Sequence, residues 1–133
     1  MASFTAQIDA WTRKSEARVE AVFKQSAQEV FSVAQRPVAA GGNMPVDTGT
    51  LRSSLLTGRD GGAIFEGADS YVLAIAGVPL GGRVLGVWTA NYASAVHFGA
   101  RGRRGRMWVD LAAQQWQDIV TRNAREAAAR GVL

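Results

Sequence analysis

The stretch NMPVDTGTLRSSL, residues 43–55, decides how the rest of the chain is read. Before it the sequence repeats with helical spacing; after it come short apolar runs separated by glycines. A proline, an aspartate and two threonines flanking a glycine lead here into an amphipathic start. Asp47 or Thr48 is placed to cap a short helix running through DTGTLRSSLL, its oxygen accepting a free backbone N–H of the first turn. Leu51 and Leu55, four apart, face inward on that helix, and Arg52 and Ser53 face elsewhere. Corners of this kind place nucleophiles, cap helices, or fix the angle between a long helix and a sheet. The flanking sequence chooses between these uses.

Upstream, residues 3 to about 35 read as one helix. Phe4, Ile8 and Trp11 begin an apolar stripe that Ser15 interrupts. Val19, Val22, Phe23, Val30, Phe31 and Ala34 continue it at three- and four-residue steps. Charged residues occupy the other face, with Glu20 four positions before Lys24. Pro37 stops the helix, because proline disfavours a helical conformation in the residue before it. At about 1.5 Å per residue such a helix reaches roughly 45–50 Å, enough to outrun a small domain's core. The overhang needs a partner, and Trp11 lies on it as a candidate anchor.

Downstream, the segments GAIFEG, SYVLAIAGV and RVLGVWT are rich in β-branched and aromatic residues and are separated by RDGG, EGADS and PLGG. They predict three antiparallel strands, with room for a fourth. NYASAVHFG predicts a short helix capped by Asn91, with Tyr92, Ala95 and Val96 inward and Gly99 as its stop. MWVDLAAQQWQDIVTRNAREAAARG predicts a second long helix with Trp108, Ala112, Trp116, Ile119 and Ala127 on its stripe and Gly131 at its end. The expected architecture is α+β: long N- and C-terminal helices packed on a small antiparallel sheet, with short helices at the junctions. A chain of 133 residues fits a single domain spanning 1–133.

Composition narrows the chemistry. There are no cysteines, which excludes disulfides, thiolate metal sites and cysteine nucleophiles. The start, MASFTAQIDAWTRK, lacks the pattern of a signal peptide, and no run is long enough to span a bilayer, so the expectation is cytoplasmic synthesis without membrane attachment. Through Ala95 eight basic and eight acidic residues cancel, so the net charge of +4 arises entirely from the last third. There ARGRRGR brings Arg101, Arg103, Arg104 and Arg106 together without an acid. Alternating arginine and glycine suits phosphate contacts, docking on an acidic protein, or a solvated hinge. His97, the sole histidine, reads as a packed or surface residue beside Phe98. Carboxylates are scattered singly, and no phosphate-binding or dinucleotide fingerprint is present. No catalytic, cofactor or metal site is expected.

Two motifs carry a resemblance. MPVDTGTLRSSL (Pro45, Asp47, Thr48, Gly49, Leu51, Arg52, Ser54) is followed by strands, then by YASAVHFG (Tyr92, Ala93, Val96, Gly99) and a closing amphipathic helix. In this order they resemble the neck and tail-completion proteins of tailed bacteriophages, the small components that join head to tail in lambda-like long-tailed phages. The resemblance runs over nearly the whole chain. His97 stands where the family usually carries an acid, and GRMWVDL stands where it tends to have a proline-rich lead into the last helix. The resemblance implies a non-catalytic virion protein at the neck, made in the host cytoplasm. It would form a homo-oligomeric ring, hexamer before dodecamer, between head-closure or connector proteins and the tail terminator or tail tube. Genomic DNA in the lumen is a further candidate partner, through non-specific contact, and the corner's task would be to set the long helix against the sheet. Trp11 and the four arginines of the 101–106 loop are the candidate partner interface. The alternative is a small basic DNA-binding protein that uses that loop.

Overall fold

A computed structural model describes residues 3–46 and 49–130. The first helix, α1, spans Phe4–Gln35; Ser3 caps it, its hydroxyl accepting the Ala6 N–H at 3.1 Å. It stops before Pro37, with Arg36 already extended at φ −69° and ψ 121°. Residues 37–46 form a loop containing a single 3-10 turn, Val38–Ala40, and Met44 folds back from it to become fully buried.

The corner then makes one helical turn, α2 (Thr50–Ser53), entered through Gly49 at φ 82°. The chain leaves it directly into β1 (Leu55–Arg59), so the expected helix through Leu55 is cut short. Leu51 and Leu55 are both buried as expected, but Leu55 is buried from a strand. β2 (Ile64–Glu66) and β3 (Val84–Trp88) flank β1 in the order β2-β1-β3, all antiparallel.

Between them SYVLAIA forms a helix, α3 (Ser70–Ala76), and not the expected strand. Its buried residues, Ser70, Tyr71, Ala74 and Ile75, fall at helical spacing, and its alanines and leucine suit a helix. A short apolar run cannot be told from a buried helix by periodicity alone, and here packing against β1 decides. The buried Thr57 and Ser70 hydroxyls, 2.8 Å apart, tie the two elements together.

The short helix α4 (Ala93–Phe98) ends at Gly99 as expected. Tyr92 occupies its N-cap position without a side-chain cap bond, so the expected Asn91 cap is not made. Its buried residues are Ala93 and His97, while Tyr92 and Ala95 are exposed, because the helix rotates its alanine and histidine toward Trp108. A hairpin follows, β4 (Gly99–Ala100) and β5 (Arg103–Arg104).

The expected second long helix is broken into α5 (Trp108–Ala113) and α6 (Trp116–Ala129) at Gln114 and Gln115. The break lets both pieces lie on α1, which also packs on α3. Gly131 lies outside the described residues. The predicted stripe holds: Trp108, Ala112, Ile119 and Ala127 are buried, and Trp116 is partly so. Two apolar clusters result. Ala34, Met44, Leu51, Ala93, Trp108 and Ala112 fill one, and Ala27, Leu55, Tyr71 and Ile75 the other, with Trp88 touching both.

Candidate interaction site

The end of α1 is locked by one buried amide. Gln35 is 1% exposed; its Nε2 donates to the carbonyls of Arg52 and Ala68, both at 2.9 Å, and its Oε1 accepts the Trp88 indole N–H at 2.9 Å. Arg52 was expected to face away. Instead its Nε donates to the Gln35 carbonyl at 2.8 Å, placing a cation on the negative end of the α1 dipole. Ser54 closes the corner, its hydroxyl donating to the Leu51 carbonyl at 2.7 Å and its carbonyl receiving both donors of Thr89. The arginine and serine of the first motif therefore join helix, corner and sheet. Asp47 and Thr48, the expected cap, lie outside the described residues. Gln35 itself was invisible to motif reading, since a glutamine at a helix end has no pattern that distinguishes it from a solvated one.

The second motif meets the first. Pro45, Gly49 and Leu51 from the corner, Tyr92 and Val96 from the region of α4, and the arginine hairpin line an open cleft of about 1330 Å³. Segments separated by some forty residues of sheet and helix thus form one wall. Arg101, Arg103, Arg104 and Arg106 all line it and are exposed, and among the described residues none forms an ion pair. Ala93 packs into the core beneath, so the second motif divides between support and lining.

His97 is packed as expected, edge-on to Phe98 and Trp108 with ring centroids 4.5 and 5.1 Å away. Its Nε2 lies 3.8 Å from Asp110 Oδ1, too far for a hydrogen bond. Among the described residues, no group of three or more His, Asp or Glu could hold a metal ion, and no helix is long and apolar enough to cross a membrane.

Trp11 is far from this cleft in sequence and stands on a second surface. Phe4 is 77% and Trp11 67% exposed, with Ile8 and Val19 also open, so the first half of α1 presents an apolar ridge. The outer face of the sheet is a further apolar surface. There Gly58 lies between Ile64 and Leu85, 73% and 70% exposed, with Val87 beside them. The four tryptophans divide accordingly: Trp108 is 2% exposed, Trp88 and Trp116 pack against the clusters, and only Trp11 is open.

Compared with known proteins, the chain matches no family model, no curated protein and no solved structure.

Proposed function

We infer that this chain is a structural joining protein of a tailed-phage neck, one copy of a ring between the head and the tail. The observation that carries the reading is the uncovered apolar ridge of α1. Phe4, Ile8, Trp11 and Val19 are too many large apolar groups in one row to be left in water without a purpose. The outer sheet face supplies a second such surface on the same molecule. Two different sticky surfaces on one chain suit head-to-tail contacts, which make a ring where the rotation between copies closes. Supporting this is the order of the two motifs, whose Arg52 and Ser54 fix the corner against α1 and the sheet. The role is geometric and non-catalytic, with a hexamer favoured over a dodecamer.

The test is electron microscopy of particles made with and without the gene. Without it, DNA-filled heads and separate tails should accumulate; with it, the chain should form a ring at the neck. Normal virions from the deletion would end the reading. A second reading, a small basic DNA-binding protein, has the exposure of the four arginines in its favour. It requires that the purified chain bind duplex DNA with an affinity that falls steeply as salt rises.

A further inference from the structure

The arginine hairpin is held in place by backbone geometry. Gly99 has φ 93°, and a Cβ there would come within 2.7 Å of the Arg103 carbonyl oxygen and 2.8 Å of the Gly105 nitrogen. A Cβ on Gly105 would strike the His97 carbonyl. The first approach closes the hairpin on itself, and the second presses it onto the end of α4. There the Arg106 N–H donates to the Val96 carbonyl at 2.9 Å and the Met107 N–H to the His97 carbonyl at 3.0 Å. The connecting turn has two central residues, Arg101 and Gly102, at φ 52° and 76°, the positive pair that a type I′ turn requires. Glycine bears this freely. Arginine at the first position is strained, since asparagine, aspartate or glycine fits better. The hairpin therefore keeps a cation at the mouth of the cleft against its local preference.

Among the described residues, every charged side chain on the cleft wall is an arginine, and these four pair with no acid. Guanidinium groups held side by side repel, and the fork of each matches a carboxylate in two parallel hydrogen bonds. Between the arginines and the corner the wall turns apolar, with Pro45, Tyr92 and Val96 at its surface. Tyr92 is 41% exposed. The hairpin has only two strands, so each keeps an edge to which an extended chain can add.

We propose that this cleft binds an acidic, extended segment of a neighbouring protein. Its carboxylates pair with Arg101, Arg103, Arg104 and Arg106, and an apolar side chain between them rests on Tyr92 and Val96. Duplex DNA fits less well. Its phosphates lie along the outside of a convex rod, which meets the rim of a concave site and leaves the apolar wall uncovered. The proposal names the kind of partner a joining protein engages at this cleft, and it rests on that reading of the chain.

Fluorescence anisotropy on the purified full chain tests it. The probes are a short labelled peptide alternating glutamate with valine, its glutamine counterpart, and a short labelled DNA duplex. The glutamate peptide should bind saturably, and the glutamine peptide at least about tenfold more weakly, a difference of roughly 1.4 kcal/mol. Arg103→Glu with Arg104→Glu should abolish binding while leaving the melting temperature near that of the parent. Arg101→Asn suits the turn better, so it keeps the hairpin and should weaken binding severalfold through lost charge alone. Lysine at 103 and 104 should restore only part of the affinity, because an ammonium cannot pair in the bidentate manner. Equal binding of the two peptides, unchanged binding by the glutamate variant, or tighter salt-sensitive binding of the duplex would each overturn the proposal. A chain that takes its place at the neck yet ignores the acidic peptide defeats this inference alone. A chain absent from particles that still binds the peptide defeats only the joining function.

Discussion

The two halves of α1 obey the same sequence rules and meet opposite fates. From Val22 to Gln35 its apolar stripe is covered by α3, α5 and α6. Ser26 and Ala27 are buried where α6 approaches, and Asn123 Nδ2 donates to Ser26 Oγ at 3.1 Å. Gln25 Nε2 donates to Asn123 Oδ1 at 3.3 Å, and Arg122 pairs with Glu29 at the margin of the same contact. From Phe4 to Arg18 the stripe holds Phe4, Ile8 and Trp11 before its break at Ser15, and those three side chains face outward. Local devices hold that half, the Ser3 cap and the contact of Arg13 with the Asp9 carbonyl. A stripe is a request for a partner, and the fold answers it only over the second half. The fully covered residues are small or amide-bearing, Ser26, Ala27, Ala34 and Gln35, and beside them Phe31 stacks on Tyr71 and Phe23 meets Trp116 edge-on, whereas Phe4 and Trp11 of the open half stand exposed.

The largest effect should come from breaking the locked end. Gln35→Ala strands the Trp88 indole N–H, removes the donor that serves two carbonyls, and leaves a cavity. We expect a loss of about 3 kcal/mol or more, read as a lowered midpoint in thermal or urea unfolding. An unchanged midpoint would show that the amide is not what fixes the corner to α1.

Asn123→Ala comes next. It unpairs Ser26 and Gln25 between α1 and α6, and should cost about 1–3 kcal/mol in the same assay. Replacing both Asn123 and Ser26 with alanine should cost less than the sum of the two single changes, because the pair is then removed together. Strict additivity would show that the two side chains act independently.

Hydrogen exchange sharpens the contrast within one helix. An isolated helix of fewer than about 12–15 residues is marginal in water, and the open half has little beyond its own backbone bonds to support it. Amides of residues 8–18 should exchange well before those of residues 26–35 in the isolated chain. Equal protection would mean that the halves unfold as one unit. If the chain works as proposed, the difference should shrink in the assembled particle, where the ridge would be covered.

The smallest effect on the fold should be that of Trp11→Ala, within about 0.5 kcal/mol, as for a surface change away from any packed feature. Its effect on association should be far larger, about 2 kcal/mol or more, if the side chain anchors a contact between copies. Sedimentation of the variant and the parent over a range of concentration separates the two quantities. A variant that melts early would place Trp11 in the core after all.

What the sequence determined by itself was set by local rules. The span of α1 followed from its stripe and from Pro37, and the strands at Ile64–Glu66 and Val84–Trp88 from β-branched runs bounded by glycine. The stop of α4 at Gly99 and the exposure of the arginines followed from a backbone preference and from the cost of burying unpaired charge. Burial of Leu51 and Leu55 was legible too, although the element that buries Leu55 was not. Tertiary structure decided the rest. Whether SYVLAIA became strand or helix depended on which face β1 offered, since the run is apolar enough for either. The break at Gln114 and Gln115 depended on how α5 and α6 lie along α1. Gln35, Met44 and Asn123 are buried through partners remote in the chain, so nothing near them in sequence marks them. The cleft belongs to the same class: its corner, α4 and hairpin lie far apart in the chain, and only packing puts an apolar wall beside four arginines. Periodicity reports how a segment would lie on a partner, whereas the partner's identity is a property of the whole chain, fixed where long-range burial outweighs local preference.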